Sequence, residues 1–97
     1  MTMMYKRDVQ FSAQYKRDYK KIKKQGRNIA SLREVTGLLA NDVPMPEKYL
    51  DHALQGNWKG YRECHVTPDL LLVYRKTDKG ELILILVRLA SHSELDF

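Results

Sequence analysis

The hydrophobic positions change period halfway along the chain. Lys6 to Phe11 alternates as a short strand and stops at Ser12, a residue type suited to cap a helix N-terminus. Tyr15, Tyr19 and Ile22 then recur at helical spacing, leaving one apolar stripe on a charged helix that Gly26 is placed to end. Asn28 is a candidate cap for a second helix with Leu32, Val35, Leu38 and Leu39 along one face. So short a link implies an antiparallel helical hairpin, with Tyr15 and Tyr19 as packing residues. Asn41 to Asp51, holding Pro44 and Pro46, reads as a loop with one helical turn at Glu47 to Leu50.

After Gly56 the period becomes that of strands. Trp58 to Val66 forms one, Thr67-Pro68-Asp69 turns, and Leu70 to Arg75 forms the next. Thr77 to Gly80 is a second turn, and Glu81 to Leu89 the last strand. Its run Leu82-Ile83-Leu84-Ile85-Leu86-Val87 is apolar on both faces, which places it inside the sheet. The expected fold is α+β, of order β-α-α-β-β-β, an antiparallel sheet with two N-terminal helices on one face. Residues 1–97 suffice for one domain and hold neither repeats nor linkers.

Charge narrows the partners. Seventeen Lys and Arg against twelve Asp and Glu give +5, suited to nucleic acid, an anionic surface or an acidic protein. Lys16 to Arg27 carries a single acid, Asp18. Such a run is ordinarily a solvated helix face, though it still attracts phosphate at long range. The lone cysteine, Cys64, fits a reducing compartment and a small buried hydrophobe. No apolar run has the roughly 20 residues that span a bilayer, and the N-terminus lacks the apolar stretch of a signal peptide. A cytoplasmic location with no membrane contact is expected.

The candidate chemistry lies in the C-terminal half, which holds all three histidines: His52, His65 and His92. Imidazoles titrate near neutrality and suit proton transfer. His52 enters the meander by a loop, Asp69 lies in its first turn, His92 follows its last strand, and Glu63 and His65 share a strand face. Metal-free RNA cleavage needs a base for the 2′-hydroxyl, cations for the phosphorane and an acid for the departing 5′-oxygen. His52, His65 and Glu63 or Asp69 are candidates for proton transfer, Arg62, Lys59 and Arg88 for charge, and His92 for the acid. Trp58 and Phe97 can stack a base. Each also has an ordinary role: Glu63 pairing with Arg62 or Lys59, Asp69 serving a turn, Arg88 ending a strand, Trp58 filling the core. Zinc is the chemical competitor, but the close ligand spacings of ribbons, fingers and HExxH helices are missing. No cofactor or metal is expected.

The block Asp51-His52-Ala53-Leu54-Gln55-Gly56-Asn57-Trp58-Lys59-Gly60-Tyr61-Arg62-Glu63-Cys64-His65, then Pro68-Asp69-Leu70-Leu71-Leu72-Val73-Tyr74, resembles the YafQ toxins of the RelE/ParE superfamily. The likeness extends over nearly the whole chain to Arg88-Leu89-Ala90-Ser91-His92-Ser93-Glu94-Leu95. It implies the toxin of a type II toxin-antitoxin module, an endoribonuclease that cuts mRNA, typically on the ribosome, leaving a 2′,3′-cyclic phosphate. It implies a cognate antitoxin, with operator DNA bound only through the antitoxin complex. Proton-transfer roles carry onto His52, Glu63, His65, Asp69 and His92, with Arg62 and Arg88 on phosphate. Trp58, Lys59, Arg62, Arg75, Ser93, Leu95 and Phe97 become the RNA-binding candidates. The chain departs from the family pattern at Glu63, where some relatives have Asp, at Ala90 in place of Gly, at Leu70 in place of Trp, and at Asp96, inserted before Phe97. The alternative is a ParE-like toxin that cleaves nothing and inhibits a protein target such as gyrase, since fold alone does not fix function.

Overall fold

A computed structural model describes residues 5–27 and 29–95. Strand β1 (Asp8–Phe11) leads into helices α1 (Ala13–Lys24) and α2 (Ala30–Ala40), and a two-residue strand β2 (His52–Ala53) precedes β3 (Arg62–Thr67), β4 (Leu70–Thr77) and β5 (Ile83–Ser91). The sheet order is β1-β5-β4-β3-β2. The α+β architecture is the expected one, with two differences. β1 runs parallel to β5, from Asp8 beside Ile83 to Phe11 beside Leu86, so the sheet is mixed. Nothing forces a hairpin between them, because helices and three strands intervene in the chain. β2 is an added edge, with His52 opposite Glu63 and Ala53 opposite Arg62.

Ser12 caps α1 as expected, accepting from the Tyr15 N–H at 2.9 Å. Its hydroxyl also donates to the Val87 carbonyl at 2.7 Å, fastening the helix start to β5. Gly26, at φ +72°, lies just past the helix end. Asn28 lies outside the described residues; Ile29 holds the N-cap position of α2 with no side-chain cap bond. The first strand of the meander starts later than its apolar pattern suggests. Gly56–Trp58 forms a 3-10 turn and Gly60 takes φ +96°, so pairing begins at Arg62. The last strand likewise starts at Ile83, leaving Leu82 exposed.

The main core lies between the helices and one sheet face, where Tyr15, Ile22, Val35 and Leu39 meet Cys64, Leu72, Leu84 and Leu86. Cys64 is fully buried, and burial pushes its thiol up to about 12, so it packs as a hydrophobe. The opposite face is not bare. Leu54 from the β2–β3 loop and Leu95 from the C-terminal turn cover Leu71, Val73 and Ala90 as a second, smaller core. Leu95, expected at an RNA contact, is buried there. No helix among the described residues is long and apolar enough to cross a membrane.

Candidate active site

Strand alternation decides which polar groups meet. Opposite pairs run His52–Glu63–Val73–Arg88 in one row and His65–Leu71–Ala90 in the next. Val73, Leu71 and Ala90 belong to the smaller core, so His52, Glu63 and His65 share its face. Glu63 and His65 are two positions apart on the strand, a step of about 7 Å. His92 follows β5 directly, and its ring centroid lies 5.3 Å from that of His65. Three imidazoles distant in sequence therefore gather on one side of the sheet.

The local supports are specific. Tyr49 closes a 3-10 turn and Leu50 adopts a left-handed backbone, φ 49°. Its carbonyl lies 2.8 Å from His52 Nδ1. A carbonyl only accepts, so Nδ1 bears the proton and Nε2 faces Glu63, 3.5 Å from Oε1. Glu63 is 5% exposed, and its Oε2 has no hydrogen-bond partner among the described residues. A buried carboxylate oxygen without a donor is costly. Such an atom, beside an imidazole, is suited to receive a proton or a substrate hydroxyl.

The cations sort unevenly. Arg62 alternates onto the helix-bearing side, away from Glu63 and His65, and pairs with Asp51 at 3.3 Å. Asp51 also accepts from the Tyr74 hydroxyl at 2.6 Å; burial, then this bond, raises the phenol well above its usual range. Arg62, expected to serve the scissile phosphate, is paired here with the residue that leads into His52. Arg75 stays on the imidazole side, 5.8 Å over the Tyr61 ring. Arg88 sits beside the irregularity where Val87 is the extra residue in β5. Its Nε donates to Asp18 of α1 at 2.9 Å, and the same carboxylate oxygen accepts the Leu89 N–H at 2.9 Å. Arg88 is thus held rigidly with only part of its five donors used.

Asp69 is exposed in the β3–β4 turn and pairs with Arg27 at 3.2 Å. Lys59 is exposed, and Trp58 meets Tyr61 edge to face with ring centroids 5.3 Å apart. Ser93 Oγ lies 3.1 Å from Ser91 Oγ within the turn that follows β5. Phe97 lies outside the described residues.

Comparison with known proteins places the chain in a family. The model of the family described as "Bacterial toxin of type II toxin-antitoxin system, YafQ" matches residues 7–96. The chain belongs to the YafQ family. A relative from Escherichia coli K12, the mRNA interferase toxin YafQ, is 42% identical over 93 residues, covering 95% of this chain and 98% of that protein. The crystal structure of the E. coli DinJ–YafQ toxin–antitoxin complex superposes with a TM-score of 0.84 at 41% identity, covering 95% and 99% of the two chains. A metal-bound toxin from Helicobacter pylori matches with a TM-score of 0.84 at 45% identity, covering 96% and 100%.

Several groups that build this YafQ-family site escaped the sequence reading. Asp18 had a usable signal: it is the one acid in a basic run and falls three residues after Tyr15 and four before Ile22, on the apolar stripe. The left-handed Leu50 and the Asp51 anchor had none, being set by tertiary packing. Among the described residues no three His, Cys, Asp or Glu side chains come together as a metal-binding group.

Proposed function

We propose that this YafQ-family toxin is an endoribonuclease that cleaves mRNA by general acid–base catalysis, without routing any step through a metal. One observation carries the mechanism: His65 and His92 lie ring to ring at 5.3 Å, on the sheet face where His52 meets the buried, half-unpartnered Glu63. The His52–Glu63 pair accepts the 2′-hydroxyl proton. The freed oxygen attacks phosphorus, Arg88 and Arg75 offset charge on the phosphorane, and His92 protonates the departing 5′-oxygen. His65 lies beside His92, where it can contact the same phosphate. The products are a 2′,3′-cyclic phosphate and a 5′-hydroxyl end.

The substrate is mRNA on a translating ribosome in the cytoplasm, with Trp58, Lys59 and Ser93 on the approach to the site. The partner is a cognate antitoxin, as DinJ is for the E. coli relative. Operator DNA is bound only by the toxin–antitoxin complex. The deciding experiment is induction of wild type and His92→Ala in bacteria, with circular dichroism on the purified variant and primer extension on cellular mRNA. The expected result is loss of toxicity with the fold intact, and new 5′ ends only for wild type. A folded, fully toxic variant removes His92 from the mechanism. DNA-damage signalling without RNA ends indicates a gyrase-type target instead.

A further inference from the structure

Helix α1 reaches toward the site at three places. Asp18 binds Arg88 and the Leu89 N–H. Lys21, one turn later, places Nζ 2.6 Å from Glu94 Oε2. Arg27, just past the helix, meets Asp69. The first contact is buried and fastens the strand itself, whereas the second holds the segment that carries His92.

Glu94 is the centre of that segment. Its Oε1 accepts the Ser91 N–H at 3.2 Å and the Ser91 hydroxyl at 3.0 Å. The N–H groups of Glu94 and Leu95 return to the Ser91 carbonyl at 3.1 and 3.2 Å. The result is a closed turn, Ser91 to Leu95, with His92 on its rim and Leu95 sunk in the smaller core. His92 itself is exposed, so packing alone does not fix its ring beside His65. The bond to Lys21, then the bonds to Ser91, hold the Glu94 carboxyl down at about 2.

We propose that Lys21 is a positioning residue: through Glu94 it clamps the Ser91–Leu95 turn and so holds His92 beside His65 for proton transfer. This deepens the reading of His92 as the acid and rests on it. An exposed ion pair adds little to global stability, so the cost of breaking it falls on geometry. A misplacement of about 1 Å at a reacting group can lower the rate about a hundredfold.

The test uses the purified chain cleaving mRNA on ribosomes, with Lys21→Met, Glu94→Gln, the double variant and Lys21→Arg, beside His92→Ala. Each single variant is expected to stay folded and to lower kcat at least about tenfold with KM nearly unchanged. The double variant should be no worse than either single one, because both break one link, and Lys21→Arg should keep most of the rate. NMR of substrate-free protein should show the His92 ring signals shifted or broadened in Lys21→Met. Additive losses, or a loss confined to KM and steeper at high salt, overturn the clamp and make Lys21 a direct RNA contact. Unchanged His92 signals in Lys21→Met overturn it whatever the cleavage data say. A folded, fully active His92→Ala overturns the reading of the acid instead, and the NMR result keeps the two failures apart.

Discussion

Glu63 is the residue at which stability and function pull apart. Its carboxyl is buried, Oε2 has no hydrogen-bond partner among the described residues, and Oε1 lies 3.5 Å from His52 Nε2. A buried carboxyl in so unfavourable a place is a candidate for chemistry, and substitution separates that role from a structural one. Glu63→Gln fills the same volume and brings an amide donor, so thermal unfolding should shift upward or stay level. Cleavage on ribosomes should fall about 10²–10⁴-fold, the usual range for losing a general acid or base. A variant that melts lower but cleaves at the wild-type rate would make Glu63 a structural acid. Glu94 offers a second measurement at this scale. Its carboxyl titrates at about 2 in the folded chain against an ordinary 4.5. A depressed carboxyl stabilises the fold above its unfolded value and loses that contribution as pH falls through the folded one. The window therefore lies between about 4.5 and about 2. The carboxyl carbon-13 shift should show a midpoint near 2 that moves back toward the ordinary value in Lys21→Met; an ordinary midpoint in wild type would remove the ion pair with Lys21.

At the scale of elements, α1 does more than cover the sheet. β1 protects β5 only as far as Leu86, so the strand end bearing Arg88 needs another acceptor for its backbone, and Asp18 supplies it. Asp18→Ala strands the Leu89 N–H and the Arg88 guanidinium and should cost about 1–3 kcal/mol, read from urea midpoints, together with most of the cleavage activity. An unchanged midpoint would show that water replaces Asp18 freely. The same element explains what was legible in the sequence. Helical and strand periods gave the helices, the strands and the sharing of a face by Glu63 and His65, because those periods follow from backbone geometry. Alternation also gives the side of Arg62: the neighbour of Glu63 must face the other way. The sequence could not reveal the parallel seat of β1, the brief β2 edge or the pairing of Lys21 with Glu94. Each joins residues far apart in the chain, and register between distant segments is set by packing.

Over the whole molecule, charge and apolar surface separate from the chemistry. A groove of about 1090 Å³ runs between the helices and β1, floored by Phe11, Tyr15 and Leu86 and rimmed by Lys16, Lys20 and Arg33. Phe11 remains 49% exposed there and stacks on Tyr15 with ring centroids 5.4 Å apart. The imidazoles lie across the sheet, on the face of the smaller core. The lining suits one kind of occupant: an amphipathic, acidic antitoxin segment would bury apolar side chains on the aromatic floor and set carboxylates against the basic rim. Charge at a rim acts mainly through association rate and salt dependence. Lys16→Glu with Lys20→Glu should therefore slow antitoxin association by about tenfold or more at low salt and flatten its dependence on ionic strength, as read by stopped-flow fluorescence. Phe11→Ala should act chiefly on dissociation, since it removes buried apolar contact. His92→Ala, on the opposite face, should bind the antitoxin as wild type does. If the rim variants associate normally while substitutions on the imidazole face abolish binding, the antitoxin covers the active site directly and the helical groove serves another partner.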